Sequence, residues 1–380
     1  MNFELTQDHK DAQKLARDFA EKHLLPGVVE RDNASQFPME QYKKFSELGF
    51  IGLPYPKELG GQGGGYLSYI LAVEEVSKVD ASFGIAYSVC TSLYSGSVDL
   101  SGAANDVKKK FMEPVLSGKS LGAFALTEPT AGSDVSGAKT VALLDGDHYV
   151  VNGSKCFITN GPISDYYAVY VLTDPEQKAK GMGCLIIERN TPGFSIGKLE
   201  DKMGIRSAQV SELIFKDCRV PAANLIAPTG KGFGLAMKCL DGGRIGVAAQ
   251  GLGIAKGAFE VARKYLMTRE QFGKPLCVNQ YLAFKMAELQ VEIDKAENML
   301  YKAALDKQEG RPYSTSAAKA KLACTDCAMY VTTECVQMLG GNGYMKDYHV
   351  ERMMRDAKIT QIYEGTNEVQ KLIISGGLFV

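Results

Sequence analysis

Residues 140–153 read TVALLDGDHYVVNG, and the fold turns on them. Two apolar, β-branched runs flank Asp145-Gly146. An Asp-Gly pair in that setting signals a hairpin, because a tight turn needs the left-handed backbone that glycine adopts freely. The runs that follow, DYYAVYVLTD, GCLIIERNTPGFSIG and SELIFKDCRVP, share this texture of short β-branched and aromatic stretches between turn residues. Residues 121–230 are therefore expected to form a β domain.

On both sides of that block the apolar period changes from two to about 3.6. From Thr6, an expected N-cap, Ala12, Leu15, Ala16, Phe19 and Ala20 recur at helical spacing. MEQYKKFSELGF and YLSYILAVEEVSKV continue the pattern, and the glycine-rich LGGQGGGY between them reads as a loop. Residues 1–120 are expected to form a helical domain. Beyond Gly234 helical spacing returns in GLAMKCLDGGRIGVAAQGLGIAKGAFEVARKYLMTR, AFKMAELQVEIDKAENMLYKAALDK and AAKAKLACTDCAMYVTTECVQML. Residues 231–380 thus form a third region of long helices. The fold class is α+β, mainly α.

The chain has 380 residues, and a hydrophobic content of 45% is enough for sizeable cores. Lysine and arginine total 43 against 44 acidic residues, with no sustained basic run, so nucleic acid is not an expected partner. Nine scattered cysteines, an odd number, fit reduced core thiols better than a disulfide framework. The opening MNFELTQDHKDAQKLARDF lacks a signal core or transit pattern, and no apolar run reaches membrane-spanning length. A cytoplasmic protein without a membrane span is expected.

Several local motifs dissolve in context. The four histidines are dispersed and HExxH is absent, so no metal site is expected. Cys324 and Cys327 match CxxC but lie in a helical pattern with no preceding strand, which makes them core thiols. SGKS at 117–120 has Glu113 where a P-loop needs its first glycine. GLGIAKG, from Gly251, falls inside a helical run, where small residues serve close helix packing rather than a dinucleotide turn.

Five longer stretches remain, in order: ALTEPTAGSDVSG (125–137), CFITNG (156–161), TREQFGKPL (268–276), QMLGGNGY (337–344) and MRDAKITQIYEGTNEVQ (354–370). Together they resemble the acyl-CoA dehydrogenase family over nearly the whole chain. The resemblance implies a helical N-terminal domain, a middle β-barrel or β-sandwich domain and a C-terminal four-helix bundle. It also implies FAD as cofactor, an acyl-CoA substrate, an electron transfer flavoprotein as partner and a homo-oligomer, expected as a tetramer.

The same resemblance assigns roles. Phe124, Leu126, Thr127 and Ser133 are implied flavin contacts, with Ser133 also near the CoA moiety. A threonine hydroxyl and a turn backbone can donate to the flavin's pyrimidine side, while the ordinary reading of Ser133 is a turn serine. Phe157, Ile158 and Thr159 are implied at the isoalloxazine, where Phe157 offers an aromatic face. Other members often carry tryptophan here, and this chain has none. Arg269, Phe272, Gln280, Gln337, Gly340 and Gly341 resemble positions that hold the FAD pyrophosphate and adenosine of a neighbouring subunit. Arginine meets phosphate bidentately and glycine admits close backbone approach. Asp241 and Arg244, in LDGGR, resemble CoA contacts, although an i,i+3 ion pair explains the spacing equally.

Some relatives place the catalytic glutamate just before that arginine, where this chain has Gly243. Most carry it in a YEGT-type motif, and Glu364 occupies that place. A carboxylate held among apolar groups gains proton affinity and can take a proton next to a thioester carbonyl. Tyr363 and Gly365 are implied substrate contacts, and Thr366 and Glu368 implied flavin contacts. The expected activity is α,β-dehydrogenation of a short-chain, butyryl-CoA-like acyl-CoA to the trans-2-enoyl-CoA, with hydride going to flavin N5. The alternatives are an enoyl-CoA reductase working in reverse, an oxidase, and a non-catalytic flavin- or CoA-binding assembly factor.

Overall fold

A computed structural model describes residues 4–379. Residues 1–3 and 380, the outer edges of the first and third expected domains and the start of the stretch read for targeting signals, lie outside the described residues.

The first region is helical: α1 (Gln7–Phe19), α2 (Val28–Ala34), α3 (Met39–Glu47), α4 (Tyr66–Ser77), α5 (Ala81–Ser88), α6 (Ser95–Leu100) and α7 (Asn105–Leu116). Thr6 caps α1 as expected, accepting the His9 N–H while the His9 ring accepts from the Thr6 backbone. α4 and α5 are buried throughout, which is why YLSYILAVEEVS has apolar residues on every face instead of a stripe, its two glutamates being paired with Lys256 and Arg17. Two π-helical segments, Ala20–Leu24 and Val89–Tyr94, interrupt the α-helices, and sequence spacing did not announce them.

The β domain contains β1 (Gly122–Ala125), β2 (Val141–Asp145), β3 (His148–Thr159), β4 (Tyr166–Leu172), β5 (Met182–Glu188), β6 (Phe194–Leu199), β7 (Val210–Pro221) and β8 (Leu225–Ala227). The β2–β3 hairpin forms where expected, with Asp145 opposite His148, so the turn residues are Gly146, at φ +62°, and Asp147. The strands make one eight-stranded sheet in the order β6-β7-β3-β2-β4-β5-β8, with β1 also beside β4. Its ends β6 and β8 do not pair with each other, so the sheet is open rather than a closed barrel. Along β4, Tyr167, Val169 and Val171 enter the β core, whereas Ala168, Tyr170 and Leu172 pack on the helices. Burial on both faces explains the continuous apolar run YYAVYVL.

The last region holds α8 (Gly232–Thr268), a hairpin of β9 (Glu270–Gln271) and β10 (Lys274–Pro275), α9 (Gln280–Gln308), α10 (Ser314–Leu339), α11 (Val350–Thr360) and α12 (Asn367–Gly376). GLGIAKG is helical, and a Cβ on Gly253 would strike the Glu74 carbonyl of α4, the close packing expected of small residues. Cys324 and Cys327 are free and buried within α10, and all nine cysteines are free thiols. No helix among the described residues is long and apolar enough to cross a membrane, and those residues contain no cluster suited to a metal ion.

Candidate active site

Glu364 sits in the loop between α11 and α12. Asn367, the first residue of α12, donates its backbone N–H to the Gln361 carbonyl at 3.0 Å, closing residues 361–367. Thr366 caps α12 by accepting the Val369 N–H at 3.4 Å. Glu364 adopts a left-handed φ of +52°, followed by Gly365 at +89°. That conformation costs a non-glycine residue about 1–3 kcal/mol and persists only where the surroundings enforce it.

The strained turn aims the carboxylate at α8. A Cβ on Gly243 would collide with Glu364 Oε2 and lie 2.8 Å from Leu93 Cδ2 of the second π segment. Glycine at 243 is thus what leaves room for the carboxylate. Glu364 is half-buried as a residue, yet Oε2 is closed to solvent and has no hydrogen-bond partner. Burial pushes its pKa up to about 7, while the charges of Lys321 and Arg244 draw it back down. The backbone N–H groups of Glu364 and Gly365 have no acceptor among the described residues.

Around this carboxylate the tyrosines are pinned by their hydroxyls. Tyr363 donates to Gln250 Oε1, and the Gln250 amide donates to the Ala81 carbonyl at 2.8 Å. Tyr66 donates to the Gly242 carbonyl at 2.9 Å, and Tyr69 pairs with Ser88 at 3.0 Å. Asp241 and Arg244 form the i,i+3 ion pair, and Asp241 also accepts from Ser314 at 3.0 Å. The ordinary reading of that spacing holds, and the pair also stands beside Gly243.

The residues expected at the flavin fall into two groups. Phe124 lies on β1, half-buried, with its ring 5.0 Å from that of Tyr170. Leu126 is buried, and Thr127 is half-buried with no partner for its hydroxyl. Ser133 is exposed in the following turn. Phe157 projects outward, 66% exposed, from a backbone at φ +57°, beside a half-buried Thr159 whose hydroxyl is also unpartnered. The side chain of Ile158 enters the β core, so only its backbone is available to a ligand. Thr366 is spent on its cap, and Glu368 is exposed in the first turn of α12.

The second group gathers at the opposite end of the helical bundle. Arg269 ends α8, and Phe272, fully exposed at φ +54°, is at the tip of the β9–β10 hairpin. Gln280 opens α9, while Gln337, Gly340 and Gly341 finish α10. Asn342 ties that last turn to α8 by donating to Tyr265 Oη at 2.8 Å. The side chains of Arg269, Gln280 and Gln337 have no partner among the described residues, and a Cβ at Gly340 or Gly341 would meet open space. Unpartnered donors beside an exposed aromatic suit a phosphate- and ring-bearing cofactor such as FAD.

Sequence reading missed two supports. Lys155 is fully buried on β3, donating to the Leu126 carbonyl at 3.0 Å and to Glu128 Oε1 at 2.8 Å. Glu128 also accepts the backbone N–H groups of Lys139 and Thr140 at 2.6 and 3.0 Å, so the pair braces the turn that presents Thr127. Burial opposes its charge, but Lys155 and these donors hold the Glu128 carboxyl below the usual range. The partners are 27 residues apart, so no local spacing announces them. Lys321 was also missed, although its helical neighbours Ala317, Ala318, Cys324 and Thr325 are all buried, which marks a lysine on a core stripe.

The three regions match known protein domains. Family models described as the N-terminal, middle and C-terminal domains of acyl-CoA dehydrogenase match residues 6–119, 123–218 and 230–379. The chain is 51% identical over 379 residues to "Acyl-CoA dehydrogenase, short-chain specific" of Clostridium acetobutylicum, covering 100% of both. It superposes on the structure of butyryl-CoA dehydrogenase from Megasphaera elsdenii with a TM-score of 0.98, 49% identity and 100% coverage of both chains. The same scores relate it to a chain of the structure described as "Electron transferring flavoprotein of Acidaminococcus fermentans: Towards a mechanism of flavin-based electron bifurcation".

Proposed function

The chain belongs to the acyl-CoA dehydrogenase family, and on that premise we propose that it dehydrogenates a short-chain acyl-CoA of the butyryl type to the trans-2-enoyl-CoA, with Glu364 as the base. One observation carries the reading: a carboxylate whose Oε2 is sealed and unpartnered, with a proton affinity near neutrality, held in a strained turn against a glycine of α8.

A base works best when its pKa lies close to the ambient pH. Burial brings Glu364 there, and Lys321 and Arg244 keep enough of it ionised to accept the α-proton. The free N–H groups of Glu364 and Gly365 lie beside the carboxylate, where they can donate to a thioester oxygen as negative charge builds on it. Tyr66, Tyr69 and Leu93 wall the buried side of the region, with the partly buried Tyr363 beside them. When bound, FAD supplies the acceptor for the β-hydride, and an electron transfer flavoprotein is the partner that takes the electrons onward. Thr127, Phe157 and Thr159 are the groups that fit its ring, and Arg269, Phe272, Gln280 and Gln337 those that fit its phosphates and adenosine.

Those two groups do not serve one cofactor within one chain. Arg269 lies 26 residues beyond Gly243 on α8, about 39 Å along a helix that rises 1.5 Å per residue. A second copy of the chain brings the far end of its α8 to the site, which supports a homo-oligomer, tetrameric in this reading. The nine free thiols suit a reducing cytoplasm.

The test is anaerobic titration of the FAD-loaded protein with saturated acyl-CoAs from acetyl to palmitoyl while flavin absorbance is followed. Bleaching strongest near four carbons is expected. A yellow protein that no saturated acyl-CoA bleaches would leave only a binding role.

A further inference from the structure

Lys321, on α10, is fully buried, and its ammonium makes a single hydrogen bond, to Asn367 Oδ1 at 2.9 Å. No carboxylate lies within ion-pair distance of it among the described residues. A buried charge with no carboxylate in contact is expensive, so its presence calls for a function.

Its hydrogen-bond partner closes the loop that carries Glu364. Asn367 Oδ1 also accepts from Thr325 at 3.1 Å, and Asn367 Nδ2 donates to Asp326 at 2.8 Å. Asp326 accepts in addition from Gln361 Nε2 at 2.7 Å, at the loop's other end. Residues 361 and 367 are thereby both held on one face of α10, with Glu364 at the apex between them.

The titratable and charged groups that face Glu364 come from three packed elements. α8 offers Arg244, already neutralised by Asp241; α4 offers the hydroxyls of Tyr66 and Tyr69; and α10 offers Lys321, which itself feels Asp326, occupied by two amide donors, and the exposed Glu368 of α12. Tyr363 is the neighbour on its own loop. Lys321 is the one cation in this set without a bound carboxylate.

Resting on the dehydrogenase reading above, we propose that Lys321 is a positioning residue for Glu364: it anchors the loop through Asn367, and its positive charge keeps the base ionisable in a largely desolvated site. The electrostatics agree in direction. Lys321 is the foremost cation drawing the Glu364 pKa down, and Glu364 is the foremost acid sustaining the charge of Lys321, which burial pulls to about 8.

The test compares Lys321→Gln, which keeps a donor for Asn367 and removes the charge, with Lys321→Met, which removes both. If the base moves up by about one pH unit, the ionised fraction at pH 7 falls about fivefold, whereas at pH 9 it is nearly complete in either protein. Exchange of the α-protons of acetyl-CoA in D2O reads proton abstraction alone, because that substrate has no β-hydrogen to lose. With full-length, FAD-loaded protein, the expected result for Lys321→Gln is a fivefold loss at pH 7 that disappears by pH 9. Lys321→Met should show the same pH shift plus a loss at every pH. Either variant alone decides the question if the other does not fold. A wild-type pH profile in the variants, or an equal loss at pH 7 and pH 9 in Lys321→Gln, overturns the proposal. A wild-type protein that neither exchanges acetyl-CoA nor is bleached by butyryl-CoA instead overturns the dehydrogenase reading.

Discussion

Glu364→Gln separates the two things this carboxylate does to the protein. The substitution keeps the volume and removes the basic lone pair, so proton abstraction should fail while FAD content and acyl-CoA binding survive. General-base catalysis contributes about 10²- to 10⁴-fold, and with Gly243 where relatives carry the other base, no second carboxylate takes over. We expect a loss at or beyond the upper end, roughly 5 kcal/mol of barrier. The effect of the substitution on stability should depend on pH. The folded carboxyl holds its proton up to about pH 7, whereas the unfolded one releases it near 4.5. Folding therefore binds a proton between those values, and wild-type stability falls as pH rises through that window. Linkage puts the change between pH 5 and pH 8 at about 2.5 kcal/mol. The glutamine amide in a site without acceptors adds a pH-independent cost of about 1–3 kcal/mol, which cancels when the two pH values are compared. The assays are stopped-flow flavin reduction by butyryl-CoA and thermal melting at both pH values. Reduction within tenfold of the wild-type rate would refute Glu364 as the base. An unchanged difference in melting temperature between variant and wild type at pH 5 and pH 8 would refute the raised proton affinity.

Other outcomes follow from the same geometry. Gly243→Ala should slow flavin reduction and leave FAD bound, because its methyl displaces Oε2; unchanged single-turnover kinetics would contradict this. Glu364→Gly with Gly243→Glu should recover some activity over Glu364→Gly alone, since the first change clears the space the second fills and suits the positive φ at 364. Lys155→Ala should cost about 3–5 kcal/mol by stranding Glu128, and lower FAD affinity as the Thr127 turn loosens; a denaturation midpoint and flavin dissociation constant equal to wild type would oppose it. Catalytic efficiency should decline gradually beyond four carbons, each methylene weighing about 1–3 kcal/mol; a steady rise to palmitoyl-CoA would remove the short-chain assignment.

How much of this was legible in the sequence depends on the range of the interaction involved. The Asp145-Gly146 hairpin, the Thr6 cap and the helical identity of GLGIAKG rest on neighbours a few residues apart, and local spacing revealed them. Glu364 became visible only through a family motif, since nothing in IYEGTNE reveals that its side chain faces α8 across 121 residues of chain. The Lys155–Glu128 brace and the Gln250–Tyr363 contact are pairings between elements, and a one-dimensional pattern carries no trace of them. Lys321 is different: a lysine flanked at i±3 and i±4 by small core residues is a readable anomaly. The π segments escaped because their extra residue per turn shifts the apolar stripe without breaking it.

The length of α8 reaches into genetics. One unbroken helix carries Gly243 in its first half, beside the proposed base, and leads at its far end to Arg269, which in the proposed oligomer serves a neighbour. A lesion at either end therefore damages a different subunit's reaction centre. When two defective alleles are expressed together, one altered at Glu364 and the other at Arg269, some mixed assemblies contain centres built wholly from sound halves, and activity returns without recombination. Two alleles altered at the same end give no such rescue. A single Arg269 allele expressed beside the normal gene lowers the output of normal chains, because its fault is exported across the interface.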